Sequence, residues 1–180
     1  SFLQGLRLRA IAVEPADDQV RKYPNGALAA HVLGFVGRNG DTNSAEFGQM
    51  IGADGIERTF DEKLAGTPGW RVTEKDGRGN EMVALRDQDV PARDGFNVVL
   101  TIDSVVQNML EEALENGMEK YAPDNITGII LRPRTGEILA MASLPDYDPN
   151  KVPSDPALRR NPLIGDVCEP GSTFKIVVVS

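Results

Sequence analysis

Residue types that often carry chemistry are scarce in this chain of 180 residues. It has one cysteine, Cys168, and one histidine, His31. A single cysteine excludes an internal disulfide and a cysteine-rich metal site. The sequence offers no partners that would make His31 a metal ligand or a catalytic base. We therefore expect no cofactor and no metal, and interpret His31 as a helix-packing residue and Cys168 as a small buried one.

Long apolar runs and clusters of positive charge are also missing. No stretch approaches the roughly 20 apolar residues of a membrane-spanning helix, and the pattern of a signal peptide, a basic segment followed by an apolar stretch, is not visible at the start of these residues. The net charge is −8, and the basic residues are scattered among acids, which argues against a nucleic-acid partner. The chain opens without a start signal and stops inside the apolar run 176–179, so we expect further polypeptide on both sides.

The composition is that of a folded protein, with 41% hydrophobic and 26% charged residues, and the length suits one domain or two small ones. The first half shows short elements separated by turn residues. We predict a strand (4–14), a short helix closed by Gly34 (27–33), a loop (37–50), a helix closed by Gly66 (56–64) and a hairpin (70–75 with 80–85). The polar segment 86–95 is predicted to join two domains.

The second half is predicted to alternate strands and helices. A strand at 96–102 leads to Asp103, which would cap a helix whose apolar face carries Val106, Met109 or Leu110, Ala113, Leu114 and Met118. The acids Glu111, Glu112 and Glu115 are interpreted as the solvated face of that helix. A hairpin (126–131 with 137–142) and a long connection (145–162) follow. Trp70 and Phe96 are expected to pack in a core or between domains.

The strongest chemical signal is the run Glu-Pro-Gly-Ser-Thr-Phe-Lys at 169–175. Ser172 and Lys175 stand three residues apart, which places them on one face of a helix that starts near Pro170 and Gly171. A serine hydroxyl needs a neighbouring base to become a nucleophile, and a lysine with a lowered pKa can serve. From spacing alone, an ordinary helix cap at Ser172 with a surface lysine after it remains an open alternative.

Further motifs lie in a fixed order along the chain. They are Arg21-Lys-Tyr23-Pro24 with Ala30-His31-Val32-Leu33-Gly34, Gly52-Ala-Asp-Gly55-Ile56-Glu57, Leu100-Thr-Ile-Asp103 with Gln107, Thr135-Gly136-Glu137-Ile138-Leu139-Ala140-Met141, Pro145-x-Tyr147-x-Pro149-Asn150, and Arg160-Asn161 before Asp166-Val167. Together with Ser-Thr-Phe-Lys, these motifs resemble the class B penicillin-binding proteins over nearly the whole chain. The residues around Asp166 are similar to the division-specific branch.

The resemblance implies an α+β fold in two parts. Residues 1–95 would form a mainly β, non-catalytic pedestal or dimerisation module. Residues 96–180 would be the opening segment of an α/β serine transpeptidase (penicillin-recognising) domain. The Arg21 and Glu57 motifs would lie close together in the first part, and we predict an ion pair between these two residues with a structural role.

The resemblance also implies a function, D,D-transpeptidation in peptidoglycan cross-linking. Ser172 matches the acylated nucleophile and Lys175 its proton acceptor. The partners would be the D-Ala-D-Ala stem peptide, β-lactams as inhibitors and membrane proteins of the divisome, at the outer face of the bacterial cytoplasmic membrane. The family's anchor is not in these residues. Its Ser-x-Asn and Lys-Thr/Ser-Gly motifs are not in the sequence either, so these 180 residues alone are expected to be inactive.

Two other hypotheses stay open at this point. Ser-Thr-Phe-Lys also occurs in class D β-lactamase-like and β-lactam sensor proteins, although the long stretch before Ser172 argues against them. Residues 1–95 alone would fit a non-catalytic interaction module.

Overall fold

The computed structural model describes residues 21–40, 48–72, 88–167 and 169–175, together with positions 74 and 82. The chain divides into two compact units. The first contains residues 1–24 and 33–100, and the second contains residues 25–32 and 101–180. A short stretch early in the sequence therefore belongs to the second unit. The predicted strand at 4–14 and Cys168 lie outside the described residues.

The first unit is built from short strands and helices. Strand β1 (Val36–Arg38) pairs antiparallel with β2 (Met50–Gly52), and β3 (Trp70–Val72) pairs antiparallel with β4 (Gln88–Val90). Helix α1 (Ala30–Leu33) precedes β1 in the sequence. Two further short helices, α2 (Gly55–Thr59) and α3 (Asp61–Leu64), lie between the two sheets in sequence. Asp54 caps α2 by accepting a hydrogen bond from the Gly55 N–H. The mixed α+β character predicted from the sequence is confirmed.

Several predicted boundaries in this unit are wrong. The loop predicted at 37–50 contains strand residues at both ends, since β1 extends to Arg38 and β2 begins at Met50. The helix predicted over 56–64 breaks at Phe60 into α2 and α3. In the described part of the predicted hairpin, the Met82 N–H donates to the Glu74 carbonyl at 2.8 Å, which agrees with the prediction, whereas most of the predicted second strand at 80–85 lies outside the described residues. The strand residues that pair with β3 are Gln88–Val90, which lie inside the segment predicted to join the domains.

Gly52 marks a place where two stretches of backbone meet. A Cβ atom built on Gly52 would lie 2.1 Å from the carbonyl oxygen of Glu57, a distance that no side chain tolerates. We expect Gly52→Ala to lower the free energy of unfolding by roughly 1–3 kcal/mol, because the backbone of α2 must move to admit the methyl group. Gly40→Ala is the matched control, since no atom of the described residues lies within 4 Å of its Cβ position. Urea unfolding of both variants gives the comparison, and equal midpoints would contradict the close approach.

The predicted ion pair between Arg21 and Glu57 is confirmed. The Arg21 Nε atom lies 2.7 Å from Glu57 Oε1, and the Glu57 side chain is only 8% exposed while that of Arg21 is half exposed. The Tyr23 hydroxyl donates to the same carboxylate at 3.4 Å and accepts from the Val36 N–H at 3.1 Å. Glu57 is therefore a buried charge with defined partners rather than a surface acid.

Removal of Arg21 should destabilise the first unit. Arg21→Ala leaves the buried Glu57 carboxylate without its cation, and we expect a loss of about 1–2 kcal/mol in the free energy of unfolding. Arg58→Ala provides the control, because Arg58 is an exposed arginine on the helix that carries Glu57. A melting temperature that falls equally in both variants, or in neither, would show that the pair has no special role.

Tyr23 should make stability depend on pH in the alkaline range. Burial, with a further contribution from the negative Glu57, raises the pKa of Tyr23 to about 12, whereas an unfolded tyrosine titrates near pH 10. Between these values the folded state holds the proton more tightly, so stability falls as pH rises from 10 toward 12. The urea midpoint should fall less steeply in Tyr23→Phe than in Tyr121→Phe, which removes an exposed tyrosine. Identical slopes would exclude Tyr23 as the cause.

The second unit centres on a long helix packed against a hairpin. Helix α4 (Ser104–Tyr121) begins at Asp103, whose carboxylate accepts hydrogen bonds from Val105 and Val106 as predicted. Strands β5 (Ile126–Leu131) and β6 (Ile138–Leu144) pair antiparallel, which confirms the predicted hairpin. The apolar core between helix and hairpin contains Leu110, Leu114, Met118, Ile126, Ala142 and Leu144.

Other predictions for this half need correction. Residues 96–100 have no regular secondary structure, so the predicted strand at 96–102 is wrong. Alternating apolar and polar residues can give a segment two different faces, but they do not supply a neighbouring strand to pair with. Trp70 is 46% and Phe96 75% exposed, so neither is a core residue. On α4, Leu110 rather than Met109 faces the core, Ala113 is exposed and Gln107 is fully buried.

Candidate functional site

Ser172 and Lys175 lie in one helical turn at the end of the described chain. A 3-10 turn spans Gly171–Phe174, and Lys175 continues it in α-helical conformation. Gly171 has a φ of 54°, a left-handed conformation that glycine adopts without strain. Ser172 is therefore at the start of a helical segment, as predicted, and both side chains are exposed. Their catalytic roles stay a prediction.

The chain reaches this turn through the connection predicted from the sequence. It contains a 3-10 turn (Pro156–Arg159) and a short helix, α5 (Pro162–Gly165). Asn161 caps α5 by accepting a hydrogen bond from the Leu163 N–H at 3.1 Å. The guanidinium of Arg160 donates to the Gly165 carbonyl at 2.7 Å and pairs with Asp166. Side chains on both sides of α5 thus hold it in place.

Asp148 forms a tight turn earlier in this connection. Its carboxylate accepts hydrogen bonds from the main-chain N–H and the side-chain amide of Asn150, at 2.9 and 2.8 Å. These hydrogen bonds hold the pKa of Asp148 below its usual range, and the one from the main chain contributes most. The Pro145-x-Tyr147-x-Pro149-Asn150 motif therefore has a local structural role here.

Asn161 also ties the connection to strand β6. The residue is buried, and its Nδ2 atom lies 3.6 Å from the sulfur of Met141. Met141 is in turn held by Gln107 of α4, whose amide donates to the Met141 carbonyl at 2.9 Å and accepts from the Met141 N–H at 2.8 Å. Gln107 is 0% exposed, so these bonds replace water for buried polar groups.

Glu111 connects Gln107 to the early segment of the chain that contains Ala29. Its Oε1 atom accepts a hydrogen bond from the Gln107 amide at 2.8 Å and one from the Ala29 N–H at 2.9 Å. The interpretation of Glu111 as part of a solvated acidic face is therefore wrong, whereas Glu112 and Glu115 are exposed. Sequence periodicity missed the role of Glu111 because one of its partners, Ala29, lies 82 positions away in sequence.

His31 is buried, as the packing interpretation predicted. Its Nε2 atom lies 3.0 Å from the Leu158 carbonyl, to which it donates. The ring meets that of Tyr147 edge to face at 5.2 Å, and the Tyr147 hydroxyl donates to the Ala30 carbonyl at 3.3 Å. His31 thus fastens helix α1 (Ala30–Leu33) to the connection that leads to Ser172.

Neither a metal centre nor a membrane span emerges from the part of the chain that the structure describes. Within those residues, no group of three or more His, Cys, Asp or Glu side chains is placed to hold a metal ion. No described helix is both long and apolar enough to cross a bilayer.

Comparison with known families gives the class of protein. Residues 5–100 match the penicillin-binding protein dimerisation domain, and residues 126–180 match the penicillin-binding protein transpeptidase domain. The chain therefore belongs to the class B penicillin-binding proteins, as its motifs predicted.

Individual relatives support this assignment. The chain is 37% identical over 180 residues to stage V sporulation protein D of Bacillus subtilis, covering 99% of this chain and 26% of that protein. It is 34% identical over 179 residues to the peptidoglycan D,D-transpeptidase FtsI of Escherichia coli K12, covering 99% and 28%. The chain thus spans little more than a quarter of these curated relatives.

A solved structure shows the same fold. The crystal structure of penicillin-binding protein 2X from Streptococcus thermophilus matches with a TM-score of 0.58 and 32% identity, over 72% of this chain and 19% of that one.

Proposed function

We propose that this protein is a D,D-transpeptidase that cross-links peptidoglycan, with Ser172 as the acylated nucleophile and Lys175 as its proton acceptor. One observation carries the proposal. Both residues lie in a single helical turn, inside the segment that matches the transpeptidase family. The family match over residues 5–100 also argues against a class D β-lactamase or sensor.

The chemistry would proceed in two acyl transfers. Ser172 Oγ attacks the carbonyl carbon of the penultimate D-Ala, and its proton passes to the side-chain nitrogen of Lys175. The peptide C–N bond breaks, and the terminal D-Ala leaves as a free amine after taking a proton. An amine of a neighbouring strand then attacks the ester and restores the Ser172 hydroxyl. The N–H of Ser172 would be one of the oxyanion donors.

The domain division follows from the same proposal. Residues 1–95 would be the non-catalytic module and residues 96–180 the N-terminal part of the transpeptidase domain. The extents of the two family matches, 5–100 and 126–180, are compatible with this division.

Partners and location are proposed with the function. The stem peptide ending in D-Ala-D-Ala would be the substrate, and β-lactams would acylate Ser172 as substrate mimics. A cell-envelope role is supported by two relatives, a peptidoglycan D,D-transpeptidase and a stage V sporulation protein. We assign the active domain to the outer face of the cytoplasmic membrane, in the division branch and next to divisome membrane proteins.

Labelling the native protein with a fluorescent penicillin, and then following the loss of label, tests the function. A stable adduct is expected, since a transpeptidase resolves the penicilloyl ester slowly. Rapid loss of label would indicate a hydrolase instead. Absence of label would indicate a non-catalytic module.

A further inference from the structure

A buried polar network links an early segment of the chain to the connection before Ser172. Residues 25–32 belong to the second unit, although their neighbours on both sides in sequence belong to the first. The Ala29 N–H is bound by Glu111, which also accepts from Gln107. Gln107 holds both polar groups of the Met141 backbone. If one of these hydrogen bonds is lost, a polar group in this network is left without a partner. A buried polar group without a partner costs more free energy than the hydrogen bond itself contributes to stability.

The same segment is attached on its other side to the connection. His31 donates to the Leu158 carbonyl, and Tyr147 contacts both the His31 ring and the Ala30 carbonyl. The cavity between the segment, α4 and β6 is about 10 Å³, no larger than one water requires. The segment is thus closely packed on both sides and has little room to shift.

Both attachments converge just before the nucleophile. Leu158 lies in the 3-10 turn that precedes Arg160 and Asn161. Asn161 contacts Met141, the strand residue that Gln107 holds, and it caps helix α5. A displacement of residues 27–31 would therefore reach α5 by two routes, through Leu158 and through Met141.

We propose that residues 27–31 are a positioning element for Ser172, fastened at Glu111 on one side and by His31 on the other. This inference rests on the proposed transpeptidase function. Glu111 and His31 do not touch the substrate; they fix the path of the chain on which Ser172 and Lys175 depend. Acylation requires the nucleophile within a fraction of an ångström of its reacting position, and a 1 Å misplacement can cost about a hundredfold in rate.

The test measures penicillin acylation in the native protein carrying single substitutions. The rate of labelling is recorded against penicillin concentration, which separates the binding constant from the acylation rate constant. We expect Glu111→Ala to lower the acylation rate constant about ten- to a hundredfold, with little change in binding. Glu111→Gln keeps an oxygen that accepts from Ala29 and Gln107, so it should restore most of the rate. Glu112→Ala, an exposed acid on the same helix, should behave as the unsubstituted protein.

A purely structural role gives a different result. Glu111→Ala would then reduce the fraction of protein that can be labelled, or the melting temperature, while the labelled fraction reacts at the normal rate. That outcome, or a normal acylation rate in Glu111→Ala with all of the protein labelled, overturns the inference while the proposed function stands. Native protein that takes no label overturns the proposed function, and the inference with it.

A second pair of variants keeps the test decisive if Glu111→Ala fails to fold. His31→Ala removes the donor to Leu158, and His31→Gln supplies an amide donor in its place. A slow acylation rate in the alanine variant with recovery in the glutamine variant supports the positioning role. Equal rates in the two variants and the native protein exclude it.

Discussion

Replacing Ser172 by alanine is expected to abolish the penicillin adduct. The variant lacks the hydroxyl oxygen that would form the ester with the penicilloyl group. Ser154→Ala is the matched control, because Ser154 is an exposed serine of the same connection. Gel fluorescence after incubation with a labelled penicillin measures the adduct in both variants. Label retained by Ser172→Ala would remove Ser172 from the mechanism.

Lys175 should contribute nearly as much as Ser172 to the rate of acylation by penicillin. Lys175→Ala removes the proposed proton acceptor, and loss of a positioned base typically costs about a hundred- to ten-thousandfold in rate. Lys151→Ala, at another exposed lysine, should acylate normally. If Lys175→Ala acylated at the normal rate, Lys175 would be an ordinary surface lysine and not the proton acceptor.

A further large effect is expected for these 180 residues expressed alone. The Ser-x-Asn and Lys-Thr/Ser-Gly motifs of the family are not in this sequence, and the second oxyanion donor of the family belongs to the latter motif. Loss of one oxyanion donor typically costs about a hundred- to a thousandfold, and here two motifs are missing as well. We therefore expect no stable adduct in these residues alone.

The reference for this comparison is a chain that carries the same residues together with the two missing motifs. Circular dichroism and a cooperative urea transition should first show that the 180-residue protein is folded. Labelling at a rate close to that of the native protein would contradict the dependence on the missing motifs.

Locally determined features were predictable from the sequence. Asp103 caps α4 because its carboxylate meets N–H groups two and three residues on. The hairpin of β5 and β6 forms from two apolar runs joined by a turn that ends at Gly136, whose φ is 77°. The Arg21–Glu57 pair spans 36 positions, and the family resemblance, rather than local pattern, located it.

Features that depend on distant partners were not predictable from pattern. Glu111 and Gln107 look like ordinary polar helix residues, and their role is visible only once Ala29 and Met141 are placed beside them. Strand β4 lies in a polar segment, and it forms because Gln88–Val90 meets β3 across the hairpin. Burial of a polar side chain is decided by what packs against it, which periodicity alone does not contain.

The most direct test of the central claim is to locate the acyl group by mass spectrometry. The native protein is incubated with benzylpenicillin, digested, and its peptides are fragmented to find the penicilloyl mass. The account predicts that the added mass falls on Ser172 alone, with none on Ser154 or any other serine. An adduct at another residue, or unmodified Ser172 in protein that binds penicillin, would contradict it.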